Sequence, residues 1–271
     1  MEKIVVKDRC ALVTGGASGI GKEITRTFIS NGAKVAVIDL YITDEIKQEL
    51  DQMMPEAALF YKGDATDDVF INEVVEDIVK KWGAIDILIN NAGIMYKALV
   101  EDINLNQWKR IIEVNLTAPM ICTKKVVPFM KQRRWGRIIN ISSMMALIGA
   151  ETYSPYAATK AGLLQLTKVW AIELARDGIT VNAICPGWVE SPMLENAFIK
   201  RIAEIHKIDR EEAINKIFSL IPQRRFIGQS EIAFLALFLA SEMARGINGA
   251  GIVIDTGLTA GMPAGIHRKI E

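Results

Sequence analysis

The sequence predicts an α/β fold in which helices cover both faces of one doubly wound parallel sheet. Short apolar runs alternate with longer helix-like segments along most of the chain. A glycine-rich turn separates the first apolar run from the first helix-like segment, as in nucleotide-binding α/β proteins. The 271 residues, half of them hydrophobic, are enough to bury one large core. We therefore expect a single three-layer α/β/α domain over residues 1–271.

Seven apolar runs account for the strands of this sheet. The predicted strands are residues 10–14, 34–38, 57–62, 85–89, 137–141, 180–185 and 251–254. Connections through helices make right-handed crossovers, so the strands should run parallel. Ligands of such sheets bind at the carboxyl ends of the strands, which directs attention to the residues that follow each run.

The charge and cysteine content exclude several classes of partner. Lys plus Arg and Asp plus Glu both number 32, so no net field favours nucleic acid or an anionic membrane. The three cysteines, Cys10, Cys122 and Cys185, lack metal-ligand spacing and indicate buried reduced thiols. No run reaches the length of about 18 uncharged apolar residues that crosses a bilayer. We expect a cytoplasmic protein without a metal site.

The glycine-rich turn at residues 15–21 has the features of a pyrophosphate cradle. Gly15, Gly19 and Gly21 allow a tight turn and close approach of the backbone to a ligand. The helix that follows presents free N–H groups and a positive dipole end to phosphate. The turn therefore predicts a dinucleotide site.

Asp39 ends the second predicted strand and bears on the choice of cofactor. Its carboxylate can accept hydrogen bonds from ribose hydroxyls and would repel a 2′-phosphate. No Lys or Arg directly follows it to reverse that preference. Asp39 predicts NAD rather than NADP. The alternative is that it only caps the next turn.

Tyr156 and Lys160 lie four residues apart at the head of an apolar helix-like segment. That spacing puts both side chains on one helix face. A tyrosine pKa is about 10 and falls beside a positive charge, so the pair could transfer a proton near neutral pH. The alternative is a solvated helix face.

These spaced motifs resemble those of the short-chain dehydrogenase/reductase family, from about residue 8 to about residue 258. The glycine-rich turn, the Asn-Asn-Ala-Gly sequence at residues 90–93 and the Tyr-x-x-x-Lys pair follow the family's order. The resemblance implies a Rossmann-type fold, an NAD-dependent dehydrogenase and a homotetramer built on the helices around residues 105–130 and 156–176. It also implies catalytic residues at Asn115, Ser143, Tyr156 and Lys160.

The resemblance gives each catalytic residue a role. Tyr156 would exchange a proton with the substrate oxygen while hydride moves between the same carbon and the nicotinamide. Ser143 would polarise that oxygen, Lys160 would lower the tyrosine pKa and hold the nicotinamide ribose, and Asn115 would position a water. Taken singly, Ser143 could be a strand-end hydroxyl and Asn115 a structural amide in a helix.

The cofactor contacts implied by the resemblance extend along the strand ends. Asp64, Ala65 and Val114 would lie near adenine, and the segment from Pro186 would contact the nicotinamide, with Ser191 replacing the usual threonine. The predicted NAD contacts are Gly15, Ser18, Gly19, Ile20, Gly21, Asp39, Asp64, Ala65, Asn91, Ala92, Gly93, Val114, Tyr156, Lys160, Pro186, Gly187, Val189 and Ser191.

The substrate positions are less typical. The chain is similar to the family's 3-hydroxybutyrate dehydrogenases around residues 186–189, but their carboxylate clamp of glutamine, histidine and lysine reads Met95, Met145 and Tyr153 here. The predicted substrate site consists of these three residues together with Trp188 and Ser143. The methionines and aromatic residues among them predict an apolar pocket. We expect a secondary alcohol or ketone with an apolar body, and a 3-hydroxy acid is the alternative. Met145 could also be ordinary core.

Residues 191–227 interrupt the strand rhythm. Leu194, Phe198, Ile202 and Ile205 form an apolar stripe at helical spacing. Such an insertion at the cofactor end of the sheet predicts a helical lid over the substrate, and a surface or oligomer-contact helix is the alternative. Two other hypotheses for the whole chain are an NAD-binding regulator without turnover and a purely structural oligomer subunit.

Overall fold

The computed structural model describes residues 6–261. Within them one sheet of seven parallel strands is formed in the order β3-β2-β1-β4-β5-β6-β7, which confirms the predicted doubly wound α/β domain. The strands are β1 (Cys10–Thr14), β2 (Lys34–Asp39), β3 (Ala58–Lys62), β4 (Ile87–Asn90), β5 (Gly136–Ile141), β6 (Ile179–Pro186) and β7 (Gly251–Ile254).

Helices connect the strands and cover both faces of the sheet. The α-helices are α1 (Gly19–Ser30), α2 (Asp44–Met53), α3 (Asp68–Trp82), α4 (Leu105–Ile112), α5 (Ala118–Arg133), α6 (Ser154–Leu174), α7 (Pro192–Leu194), α8 (Lys200–His206), α9 (Arg210–Leu220) and α10 (Gln229–Ala240). Two π-helical turns, at Glu113–Thr117 and Glu195–Ile199, continue α4 into α5 and α7 into α8. No helix in residues 6–261 has both the length and the hydropathy that a membrane span requires.

Two apolar cores lie on opposite faces of the sheet. Successive strand residues point to opposite faces, so Leu12 of β1 packs with α3, α5 and α6, whereas Val13 packs with α1, α2 and α10. Both side chains are fully buried. Burying a side chain of this size stabilises a fold by about 1.5–3 kcal/mol. Because helices cover both faces of the sheet, residues of both orientations are buried, and the central strands are continuous apolar runs in the sequence.

The strand order determines where a ligand-binding crevice can form. β2 and β3 lie on one side of β1, and β4 to β7 lie on the other, so the connections diverge between β1 and β4. This divergence leaves a crevice at the carboxyl ends of the strands.

The insertion after β6 forms its own small apolar cluster above that crevice. Leu194, Phe198 and Ile217 are buried together in it. The predicted stripe is wrong at its last position, because Ile205 is 65% exposed. Helix α8 ends at His206, and Lys207 adopts a left-handed conformation with φ of 52°, so the stripe does not continue.

Candidate active site

A cavity of about 370 Å³ follows the carboxyl edge of the sheet from the ends of β2 and β3 to the insertion. Its wall includes Asp39 at one end, the glycine-rich turn in the middle and Phe198 at the other end. One continuous cavity therefore joins the predicted dinucleotide and substrate sites.

The glycine-rich turn adopts a conformation that favours glycine at its key positions. Gly15 and Gly19 have φ of +62° and +52°, in the left-handed region. A Cβ on Gly21 would collide with the Gly15 carbonyl oxygen and with the Asn91 side chain. A Cβ on Gly19 would meet nothing within 4 Å, so the turn is open on the cavity side, where a pyrophosphate can approach.

Asn91 holds this turn against the end of β4. Its Nδ2 donates hydrogen bonds to the carbonyl oxygens of Thr14 (3.0 Å) and Gly15 (2.9 Å). In return the Thr14 hydroxyl accepts from the backbone N–H groups of Asn91 and Ala92, both at 3.1 Å. The two central strand ends are thus fixed to each other below the cavity.

Asp39 lines the cavity at the end of β2 and also organises the backbone around it. One carboxylate oxygen accepts from the Ala17 N–H and the other from the Tyr41 N–H, both at 3.1 Å. The predicted turn cap is therefore present together with exposure to the cavity. Neither observation excludes the other, because each carboxylate oxygen can accept more than one hydrogen bond.

Arg110 of α4 is a cavity residue that the sequence analysis did not identify. Its Nη2 lies 2.8 Å from Asp64 Oδ2, and Thr66 N–H donates to Asp64 Oδ1 at 2.9 Å. Burial raises the pKa of Asp64, but the hydrogen bonds from Thr66 and Arg110 outweigh it and the net pKa is lowered. Asp64 is therefore ionised and fixed in place.

Tyr156 and Ser143 form the centre of the predicted catalytic set. Tyr156 is 9% exposed and its side chain lies next to that of Ser143, whose Oγ accepts from Met145 N–H at 3.2 Å. Burial raises the pKa of Tyr156 to about 12, and the neighbouring Ser143 hydroxyl opposes that rise. The direction is opposite to the lowering that the Tyr-Lys spacing predicts.

Burial outweighs any lowering of the Tyr156 pKa by Lys160. The Lys160 Nζ lies 5.7 Å from the centroid of the Tyr156 ring and donates to the Ile141 carbonyl oxygen at 2.8 Å. Burial lowers the pKa of Lys160 to about 8, with the nearby Cys185 thiol acting in the opposite direction. Ser142 donates from Oγ to the Lys160 carbonyl oxygen at 2.9 Å, a structural role.

Asn115 lies in the π-helical turn and is fully buried behind the cavity wall. Its Oδ1 accepts from Ile94 N–H at 2.8 Å, and its Nδ2 donates to the Ile94 carbonyl oxygen at 2.9 Å and to Thr159 Oγ1 at 3.2 Å. The Asn115 Oδ1 and the Lys160 Nζ would each lie 3.4 Å from a Cβ on Gly93. Asn115 thus faces Lys160 across Gly93.

Comparison with known proteins is consistent with this geometry. A family model described as enoyl-(acyl carrier protein) reductase matches residues 15–259. D-beta-hydroxybutyrate dehydrogenase of Rhizobium meliloti is 37% identical over 93% of this chain and 99% of its own length. The chain belongs to the short-chain dehydrogenase/reductase family. It is an oxidoreductase of the class that acts on hydroxyl or keto groups with a nicotinamide cofactor.

Two further similar proteins carry names with different substrates. A 3-oxoacyl-[acyl-carrier-protein] reductase of Thermotoga maritima is 39% identical over 93% of this chain and 98% of its own length. The crystal structure of levodione reductase superposes with a TM-score of 0.86 at 28% identity, covering 94% of this chain and 99% of that one. Short-chain dehydrogenases with this fold therefore act on differing substrates.

Most of the predicted cofactor positions of this short-chain dehydrogenase lie in the cavity wall. All of them except Gly21, which supports the turn from below, line the cavity. Asn90, the first residue of the Asn-Asn-Ala-Gly sequence, is directed away from the cavity. Its Nδ2 donates to Asn140 Oδ1 at 2.8 Å, and its side chain is buried between β4 and β5.

The insertion end of the cavity is predominantly apolar and aromatic. Met95, Met145, Tyr153 and Trp188 all line it, as predicted from sequence. Phe198 joins them, with its ring centroid 4.5 Å from that of Trp188 in an edge-to-face contact.

Lys97, which the sequence analysis missed, lies against the aromatic rings at this end. Its Nζ lies 3.9 Å from the Phe198 ring centroid and 5.0 Å from that of Tyr153. The available signal was one basic residue in the otherwise apolar and acidic segment at residues 94–102.

Proposed function

We propose that this short-chain dehydrogenase interconverts a secondary alcohol and its ketone by NAD-dependent hydride transfer. The observation that carries the proposal is that Ser143 and Tyr156 lie side by side in the wall of the same cavity as the glycine-rich turn. A bound NAD supplies the nicotinamide ring that accepts or returns the hydride.

The residues present fit such a cofactor. The open side of Gly19 suits a pyrophosphate, and the fixed carboxylates of Asp39 and Asp64 suit the ribose and adenine. Ser191, whose Oγ accepts from Leu194 N–H at 3.2 Å, keeps its hydroxyl proton for a carboxamide. NAD is proposed over NADP because a 2′-phosphate would meet the Asp39 carboxylate.

Tyr156 is proposed to move the proton. In alcohol oxidation its phenolate takes the hydroxyl proton, and in ketone reduction its hydroxyl returns it. Ser143 donates to the substrate oxygen and holds it beside the phenol. Lys160, whose lowered pKa lies near 8, stabilises the phenolate electrostatically while it carries its proton, and Asn115 supports the neighbouring loop at Ile94.

The substrate is proposed to have an apolar body. Met95, Met145 and Trp188 offer dispersion and aromatic contacts at the insertion end. A 3-hydroxy acid is the second candidate, favoured by the 37% identity to a D-beta-hydroxybutyrate dehydrogenase. A short acid of that kind would lack the polar clamp at positions 95, 145 and 153.

Residues 191–227 are proposed to act as a lid. Leu194 and Phe198 of this segment line the cavity, so movement of the segment would open or close its insertion end.

A homotetramer is proposed from apolar residues that the single chain leaves exposed. On α6, Val169 and Ile172 are 40% and 80% exposed, and Met120 on α5 is 39% exposed. A cytoplasmic location is proposed because Cys10, Cys122 and Cys185 are buried free thiols.

The proposed function is tested by absorbance at the nicotinamide band with a panel of secondary alcohols and ketones, using NAD and NADP. Turnover with NAD is expected, and Tyr156→Phe should lower it by about 10²–10⁴-fold, the usual range for loss of an acid or base. Tight NAD binding without turnover of any substrate would instead support a regulator.

A further inference from the structure

A cation lies against two aromatic rings that line the substrate end of the cavity. Lys97 follows β4 by a short loop, and its half-buried side chain reaches the facing rings of Phe198 and Tyr153. Those rings are 6.2 Å apart between centroids and both line the cavity. The Lys97 ammonium therefore borders the wall that the substrate body would contact.

Among residues 6–261 no carboxylate pairs with this ammonium. Burial lowers the pKa of Lys97, and the positive charge of Arg201 on α8 lowers it further, without an acidic group to offset them. Contact with aromatic faces stabilises a cation by about 0.5–2 kcal/mol, whereas a charge-assisted hydrogen bond to an anion is stronger and directional. The Lys97 ammonium thus has aromatic contacts, and within residues 6–261 it has no anionic partner.

The acidic residues of the cavity are distant from this end. Asp39 and Asp64 are the two carboxylates in its wall, and they lie at the ends of β2 and β3. Asp64 is also paired with Arg110. An anion at the insertion end would therefore meet no acidic residue of the cavity wall, and Lys97 lies against the rings at that end.

We propose that Lys97, assisted by Arg201, binds a carboxylate at the far end of the substrate. The substrate class is then a hydroxy or keto acid in which an apolar spacer separates the reacting carbon from the carboxylate. The spacer lies along Met95, Trp188 and the aromatic pair. This inference rests on the proposed function, and it places the carboxylate beyond the positions of Met95, Met145 and Tyr153.

Kinetics with matched substrates test the proposal. The probes are linear acids of increasing length with a hydroxyl on the penultimate carbon, and their methyl esters. Wild-type protein should prefer the acid to the ester at one or more lengths. Lys97→Met, which keeps the apolar stem on the rings, should raise KM for that acid about tenfold or more, equivalent to about 1.4 kcal/mol, with kcat and the ester unchanged.

Two other variants complete the kinetic test. Lys97→Arg should restore most of the preference because it restores the charge. Lys216→Met removes an exposed lysine of α9 in the same insertion and should leave both substrates unchanged. Equal losses on acid and ester in Lys97→Met, or no acid preference at any length, would mean that Lys97 only packs against the rings.

A binding measurement separates this proposal from the proposed reaction. Calorimetric titration with cyclohexanecarboxylate and with its primary amide needs no turnover. Tighter binding of the acid that is lost in Lys97→Met supports the anion site, even if no alcohol is oxidised and the proposed reaction fails. Equal binding of acid and amide by wild type overturns the anion site, even if neutral alcohols are oxidised with NAD.

Discussion

The Lys160 ammonium donates a hydrogen bond to the Ile141 carbonyl oxygen, so helix α6 is tied to the last residue of β5. This bond fixes the cation in a buried position, where its pKa is lowered to about 8. The burial of the charged Lys160 therefore destabilises the folded protein by an amount that depends on pH.

The first prediction concerns that cost. The unfolded chain binds a proton at Lys160 up to its ordinary pKa of 10.5, whereas the folded chain loses it near 8. The unfolded state therefore binds more protons between those values, and this residue's contribution to the free energy of unfolding rises with pH there. Denaturant unfolding should show Lys160→Met stabilised relative to wild type at pH 7, with the difference shrinking by pH 10.

The comparison is made between variants because other buried groups titrate in the same range. Burial raises the pKa of Cys10 to about 11 without a contribution from Lys160, so Cys10 lowers stability at high pH in both proteins equally. A difference between wild type and Lys160→Met that stays constant from pH 7 to 10 would contradict the prediction.

The second prediction concerns Ser143. Its hydroxyl lowers the pKa of Tyr156, so Ser143→Ala should raise that pKa further. Alcohol oxidation needs the phenolate, so the rising limb of the kcat/KM profile should move to higher pH. The rate at pH 8 should fall by about 10²-fold or more, since the oxygen also loses its hydrogen-bond donor.

A control for this effect is Ser142→Ala. Ser142 hydrogen bonds the Lys160 backbone carbonyl and should change stability more than the position of the limb. If both serine variants move the rising limb of the kcat/KM profile equally, the shift does not come from a direct effect of Ser143 on the pKa of the Tyr156 phenol.

The fold could be predicted almost completely from sequence because its signals are local. Apolar runs of strand length, the glycine-rich turn and the strand-end polar residues each follow from neighbouring residues. The predicted strands agree with the structure to within two residues at each end. The cavity wall at Asp39, Asn91 and Tyr156 then follows from parallel strand order.

What could not be predicted depends on contacts between distant segments. The π-helical turn at Asn115 adds a residue to a helix without a change in composition. The raised pKa of Tyr156 depends on burial, which the Tyr-Lys spacing does not report. The contact of Lys97 with an aromatic ring could not be predicted, because it forms only when the insertion places Phe198 over Lys97.

The third prediction concerns Asp39. Asp39→Asn keeps an oxygen for the Ala17 N–H but removes the charge that would repel a 2′-phosphate. The ratio of kcat/KM for NAD to that for NADP should fall at least about tenfold, or about 1.4 kcal/mol. Asp44→Asn, an exposed acid at the start of α2, is the control and should leave the ratio unchanged. A wild-type preference for NADP, or equal losses with both cofactors, would contradict this role.

The last prediction concerns Asn115, whose amide is occupied by Ile94 and Thr159. Asn115→Ala leaves the Ile94 N–H and carbonyl without their partners, and each unsatisfied buried group costs about 1–3 kcal/mol. The free energy of unfolding should therefore fall by about 2–5 kcal/mol. Met95 follows Ile94 in the cavity wall, so KM for the substrate should rise as the loop shifts.

Denaturant unfolding and steady-state kinetics on the same preparation check both parts. Asn106→Ala, on the exposed surface of α4, should change neither stability nor KM beyond error. Unchanged stability with a large loss of kcat would show that Asn115 acts in proton transfer and not through the Ile94 loop. The amide geometry favours the opposite result, because all of its hydrogen-bonding atoms already hold the loop to α6.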